Sequence, residues 1–121
     1  MYSGYNWLTA LQLADSTGIV LTLIIAYLPC YSHSNVDQYL DCLGKIVAFT
    51  DELTGPFTIV GDFNCNPNNT ASPCGKILND FQKDFNVINV IRVDSCLPTD
   101  SHTFVSDVWH STSWLDHCFA S

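Results

Sequence analysis

Apolar residues along this chain come in short runs separated by polar turns, and the period of the runs changes from segment to segment. "WLTALQL" (7–13) alternates apolar and polar positions, the signature of a strand with one buried face. "ADSTG" has turn composition and residues 19–27 are apolar again, so the two runs predict a hairpin. Beyond it the period becomes helical. Val36, Tyr39, Leu40, Leu43, Ile46 and Val47 share one helical face, and Asp41 precedes Lys45 by one turn on the other. Ser34 stands where an N-cap belongs, Asp37 suits the first-turn dipole, and Gly55-Pro56 closes the element. Phe57 to Gly61 reads as a short strand of the kind buried on both faces. Ser72-Pro73 is a cap followed by proline at the first helical position, and Ile77, Leu78, Phe81 and Phe85 form the stripe behind it. Residues 87–93, 102–106 and 113–119 are the last predicted strands. Strands and helices mix without strict alternation, which predicts a layered α/β protein with mixed sheets.

Composition narrows the class. The length of 121 residues allows one domain, 1–121, with a single modest core. A hydrophobic content of 47% with 13% charged residues excludes a disordered chain. The longest apolar run, 18–29, is about half the roughly 20 residues of a spanning helix and is interrupted by Thr22, so no membrane segment is expected. No basic segment follows Met1, and the first Lys or Arg is Lys45, so no secretory signal is expected and the chain is placed inside the cell. The sequon Asn68-Asn69-Thr70 would matter only in a secreted protein. Cys30, Cys42, Cys65, Cys74, Cys96 and Cys118 are irregularly spaced with no Cys-x-x-Cys pair, so reduced cysteines are expected, without a zinc site. With four Lys and Arg residues and a net charge of −8, a nucleic-acid substrate would need bound metal or further chain for its positive charge.

The candidate chemistry lies in "IVGDFNCNP" (59–67), where an apolar strand meets a glycine and then presents Asp62 and Asn64. Side chains two apart on an extended segment face the same way, so both can converge on one small site. A carboxylate can orient a water or hold a divalent cation, and a carboxamide can donate to a developing negative oxygen. That pair suits hydrolysis at phosphorus. The same residues also spell an ordinary Asx-turn at a strand end.

"GDFN" (61–64), preceded by "AYLP" (26–29) and followed by "HTFVS" (102–106) and "SWLDH" (113–117), resembles the endonuclease/exonuclease/phosphatase superfamily, closest to the endonuclease domain of non-LTR (LINE-type) retrotransposon proteins. The resemblance implies a partial four-layer α/β sandwich, two packed mixed sheets flanked by helices, incomplete at both ends. It implies that Tyr27 contacts the scissile phosphate, that Asp62 orients the attacking water, and that Asn64 hydrogen-bonds the phosphate. Thr103 and Ser113 would support the substrate, and Asp116 would orient a catalytic histidine. Mg2+ or Mn2+ would serve as cofactor at Asp62 and Asn64, with DNA as substrate and fusion to a reverse transcriptase as context. The family's N-terminal Asn motif and metal-binding Glu match nothing here, and its closing Ser-Asp-His element would lie beyond Ser121. Little activity is therefore expected of this chain alone. A degenerate relic without function, or a phosphatase- or sphingomyelinase-like phosphoesterase, are the alternatives.

Structural readings stand beside these roles. Tyr27 can be strand packing and Thr103 a β-favouring residue. His117 alternates away from Asp116 and is read as structural, and Asp107, Trp109 and His110 as solvated loop. Asp116 is expected to be half-buried and in need of a partner, with His102, His110 or solvent in that role. Cys65 is not read as a nucleophile, because no histidine is fixed near it.

Overall fold

The computed structural model describes residues 5–90, 102–109 and 111–121. Strands β1 (Leu8–Asp15) and β2 (Gly18–Tyr27) form the expected antiparallel hairpin. Helix α1 (Val36–Asp51) returns the chain so that β3 (Phe57–Asp62) pairs parallel to β2. Helix α2 (Pro73–Asp84) leads to the short β4 (Ile88–Asn89). Strands β5 (Phe104–Ser106) and β6 (Ser111–Ser113) pair as a separate hairpin, and β7 (Asp116–Ala120) inserts antiparallel between β3 and β4. The main sheet is thus mixed, in the order β1-β2-β3-β7-β4.

Strand register separates the two faces of this sheet. Ala10, Ile24, Ile59, Phe119 and Asn89 form one row across it, and Leu8, Ala26, Gly61 and His117 the next. Leu8, Ala10, Ile24, Ala26, Ile59 and Phe119 of these rows join Tyr39, Leu43 and Ile46 of α1 and Leu78 and Phe81 of α2 in one buried cluster, so both helices cover the same face. The opposite face carries Leu11, Leu13, Ile25 and Ile88, all exposed. It is the uncovered face expected of one sheet of a two-sheet sandwich. The sequence reading of β3 as buried on both faces is corrected here, since Thr58 and Val60 are only partly buried.

Caps and boundaries refine the other expectations. Ser72 caps α2 as expected, its Oγ accepting from Gly75 N at 3.0 Å. The cap of α1 is Asn35 rather than Ser34, and its side chain faces backwards to accept from Ser32 N. The predicted strand 113–119 is two strands, because Trp114 and Leu115 break the pairing between β6 and β7. Of the predicted strand 87–93, Ile88–Asn89 pairs with β7, while residues 91–93 lie outside the described residues.

Tyr39 links the helix layer to the site. Its ring is fully buried, and its hydroxyl donates to Phe63 O at 2.7 Å, the carbonyl just beyond β3. Burial, together with the charge of Asp62, pushes the phenol well above its ordinary range, so it remains a donor. Tyr39→Phe would leave that carbonyl buried and unpaired, and chemical denaturation should show a loss of about 1–3 kcal/mol.

Candidate active site

The register places Tyr27 opposite Asp62, and Asp62 opposite Asp116. Three chemistry-bearing residues from three strands therefore form one row at the same end of the sheet, on the face away from the helices. Paired positions on adjacent strands share a face, with Cβ atoms about 5 Å apart in antiparallel pairs. The pairing continues past the strand ends through Leu28 N to Asp62 O at 2.8 Å and Phe63 N to Leu115 O at 2.9 Å. The row thus sits on a hydrogen-bonded platform.

Gly61 makes this close approach possible. Its φ is +148°, and a Cβ there would lie 1.8 Å from Ala26 O. After Asp62 the chain turns sharply. Asp62 Oδ1 accepts from Asn64 N at 2.8 Å, the Asx-turn, and Asn64 takes a left-handed φ of 48°. Asn64 Nδ2 donates to Leu28 O at 2.6 Å, and its Oδ1 meets Cys30 Sγ at 3.6 Å. Asn64 thereby clamps the end of β2 to the turn, and its amide nitrogen is committed to protein.

The acidic pair has unequal environments. Burial raises the Asp62 carboxyl above its ordinary range; the charge of Asp116 adds to this, and the Asn64 N–H opposes it. Asp116 is exposed rather than half-buried, so solvent can meet its charge. Its position is set from outside the main sheet. Thr103 Oγ1 accepts from both Leu115 N (3.0 Å) and Asp116 N (3.1 Å), and Thr103 N donates to Ser113 O at 3.0 Å. Thr103 and Ser113 therefore anchor the start of β7, a positioning role that the residue pattern alone does not reveal.

His117 points to the helix side, as the alternation requires. It is buried, its Nε2 donates to Cys65 O at 2.7 Å, and Nδ1 accepts from Asn89 Nδ2 at 3.3 Å. That arrangement fits the neutral ring, and burial lowers its pKa from 6.5 against the pull of the Cys65 carbonyl. A group whose folded pKa is depressed contributes stability above its unfolded pKa, lost as pH falls through the folded one. Thermal melts from pH 7 to pH 5 should therefore fall more steeply for the wild type than for His117→Gln. Comparing the two also cancels the contribution of Asp62, which has the opposite sign.

Cys65 and Cys74 are disulfide-bonded, with Cα atoms 6.0 Å apart, which corrects the expectation of reduced cysteines. Linear spacing gave no hint of it, because the pair is brought together by the turn 66–72 and the Ser72 cap. The bond ties the Asx-turn to the start of α2. Cys30, Cys42 and Cys118 are free, and Cys96 lies outside the described residues. In the β5–β6 hairpin the tip exposes Val108 and Trp109, in line with the solvated-loop reading; His110 lies outside the described residues.

Among the described residues no group of three or more His, Cys, Asp and Glu could hold a metal ion. Two carboxylates side by side still suit Mg2+, which binds through one or two protein carboxylates plus water and substrate phosphate. No described helix is long and apolar enough to cross a membrane.

A mixed sheet covered by two helices on one face, with Tyr27, Asp62 and Asp116 aligned at one end, defines a layered α/β scaffold with an acidic strand-end row. Among solved structures the chain is similar to the human Nocturnin catalytic domain with bound sulfate, with a TM-score of 0.60 and 17% identity. The similarity covers 94% of this chain and 40% of that one, so the chain spans well under half the length of that domain. This likeness shows that the chain shares the layered α/β fold of that domain. No protein-family model and no curated protein matches the sequence.

Proposed function

We propose that the Tyr27–Asp62–Asp116 row belongs to a phosphodiesterase site, and that its substrate is DNA nicked in the manner of a non-LTR retroelement endonuclease. The observation that carries the reading is the cross-strand alignment of the three residues, which brings together three motifs far apart in sequence. Asp62 orients the attacking water and accepts its proton. The Tyr27 hydroxyl donates to a phosphate oxygen, and the Asn64 clamp keeps Asp62 at its station. Asp62 and Asp116 would hold Mg2+ or Mn2+, with Asn64 offering Oδ1; such an ion supplies charge stabilisation for the phosphorane-like transition state. The cation also answers the net charge of −8, which by itself repels a polyanion.

The test compares the 121-residue chain with the complete reading frame that contains it, on supercoiled plasmid with Mg2+ or Mn2+. Expected are strong nicking by the complete frame, little by the chain alone, and loss of nicking when Asp62 is replaced by Asn. Nicking indifferent to that substitution would overturn the assignment. The acidic balance favours, as second reading, a phosphoester that is not nucleic acid; hydrolysis of small phosphodiesters without plasmid nicking would support it.

A further inference from the structure

A cavity of about 290 Å³ opens beside the row, between the start of β1, the end of β2 and the outer side of α1. Trp7, Tyr27, Asn6, Gln38, Asp41 and Lys45 line it, and Tyr27 belongs to both the cavity and the row. We infer that this cavity is a nucleobase subsite, which seats the base of a nucleotide whose phosphodiester lies at Asp62.

Three features select that ligand. Trp7, with the Tyr5 ring stacked on it, supplies aromatic surface of the kind on which bases stack, and stacking accepts any base because each has a π-face. The carboxamides of Asn6 and Gln38 each carry a donor and an acceptor, the pairing that matches a base edge. The third feature is electrostatic. Lys45 Nζ lies 2.6 Å from Asp41 Oδ2 and 4.9 Å from the centroid of the Tyr5 ring, which itself stacks on Trp7 at 5.5 Å. The one cation among the described residues lining the cavity is therefore already paired. A free phosphate would find no net positive charge there, whereas a neutral planar heterocycle meets aromatic walls and unengaged amides. The volume is close to the ~300 Å³ at the small end of ligand pockets.

The placement of the phosphodiester rests on the reading proposed above, but base binding does not, and it is measured without turnover. The experiment is NMR titration of the isotope-labelled 121-residue chain with adenosine, cytidine, ribose and inorganic phosphate. The nucleosides should shift the Trp7 indole N–H and the Gln38 side-chain amide, and ribose and phosphate should not. Gln38→Ala, an exposed helix position that leaves the core intact, should weaken nucleoside binding by about fivefold or more, while Asp62→Asn should leave it unchanged. Absence of nucleoside shifts at both groups overturns the inference, as do equal shifts from phosphate alone. Nucleoside binding together with plasmid nicking indifferent to Asp62→Asn would overturn the phosphodiesterase reading and leave this one standing.

Discussion

Gly61→Ala should leave the chain unable to fold. The added methyl would meet the backbone carbonyl of Ala26 at 1.8 Å and the Ala26 carbonyl carbon at 2.8 Å, neither of them the yielding end of a side chain. It would also force an L-residue into a φ of +148°. Relief would require β2 and β3 to part where their pairing sets up the Tyr27–Asp62 step. Losses above about 4 kcal/mol follow from such backbone clashes, and a domain whose total stability is of the order of 5–15 kcal/mol has little left after one. Gly44→Ala provides the control. It lies within α1, an added Cβ meets nothing within 4 Å, and alanine is the better helix former. Urea denaturation should show Gly44→Ala more stable than wild type by up to about 1 kcal/mol, and Gly61→Ala without a cooperative transition. A folded Gly61→Ala with near-normal stability would contradict the strand approach on which the row depends.

Asp62→Asn should separate stability from function. The Asp62 carboxyl is raised above 3.8 by burial and by Asp116, so its folded state prefers the proton. The stability linked to it is present below the unfolded pKa and is lost as pH rises through the folded one. At neutral pH the charged form is therefore a burden, which Asn does not carry. Asn can still accept from Asn64 N through Oδ1, so the Asx-turn persists. The variant should melt at or above the wild type at pH 7 and approach it as pH falls toward 4. Nicking by the complete frame should drop by about 100-fold or more, the usual loss for a removed general base. A site that destabilises its own fold to hold a reactive group is a common trade. A variant that melts well below wild type at pH 7 would show that the carboxylate is held by a favourable partner instead.

Much of this architecture is legible in the residues, and what is not has a physical reason. The β1–β2 hairpin and the Ser72 cap depend on local pattern, and both appear as read. The candidate pair Asp62 and Asn64 was visible too, because a carboxylate after a strand glycine is conspicuous. Which functional reading Asn64 takes was not, since its donor goes to Leu28 O, a carbonyl 36 residues away. Thr103 was named as a supporting residue, yet its support of the start of β7 depends on two N–H groups 12 and 13 residues on. The Cys65–Cys74 bond depends on the path of a turn rather than on a spacing rule. The exposure of Asp116 follows from the break at Trp114 and Leu115, where a continuous strand was expected. For Asn64 and Thr103 the missing information is the contact between distant segments, which no local period encodes.

The central claim is that Asp62 and Asp116 form one cation-supported phosphodiester site. Its most direct test is paramagnetic relaxation by Mn2+ on the labelled chain. Amide signals of Asp62, Phe63, Asn64 and Asp116 should broaden first, and Asp62→Asn should abolish the effect. Broadening that begins elsewhere, such as at the exposed Asp51–Glu52 end of α1, or that survives Asp62→Asn unchanged, would contradict the claim.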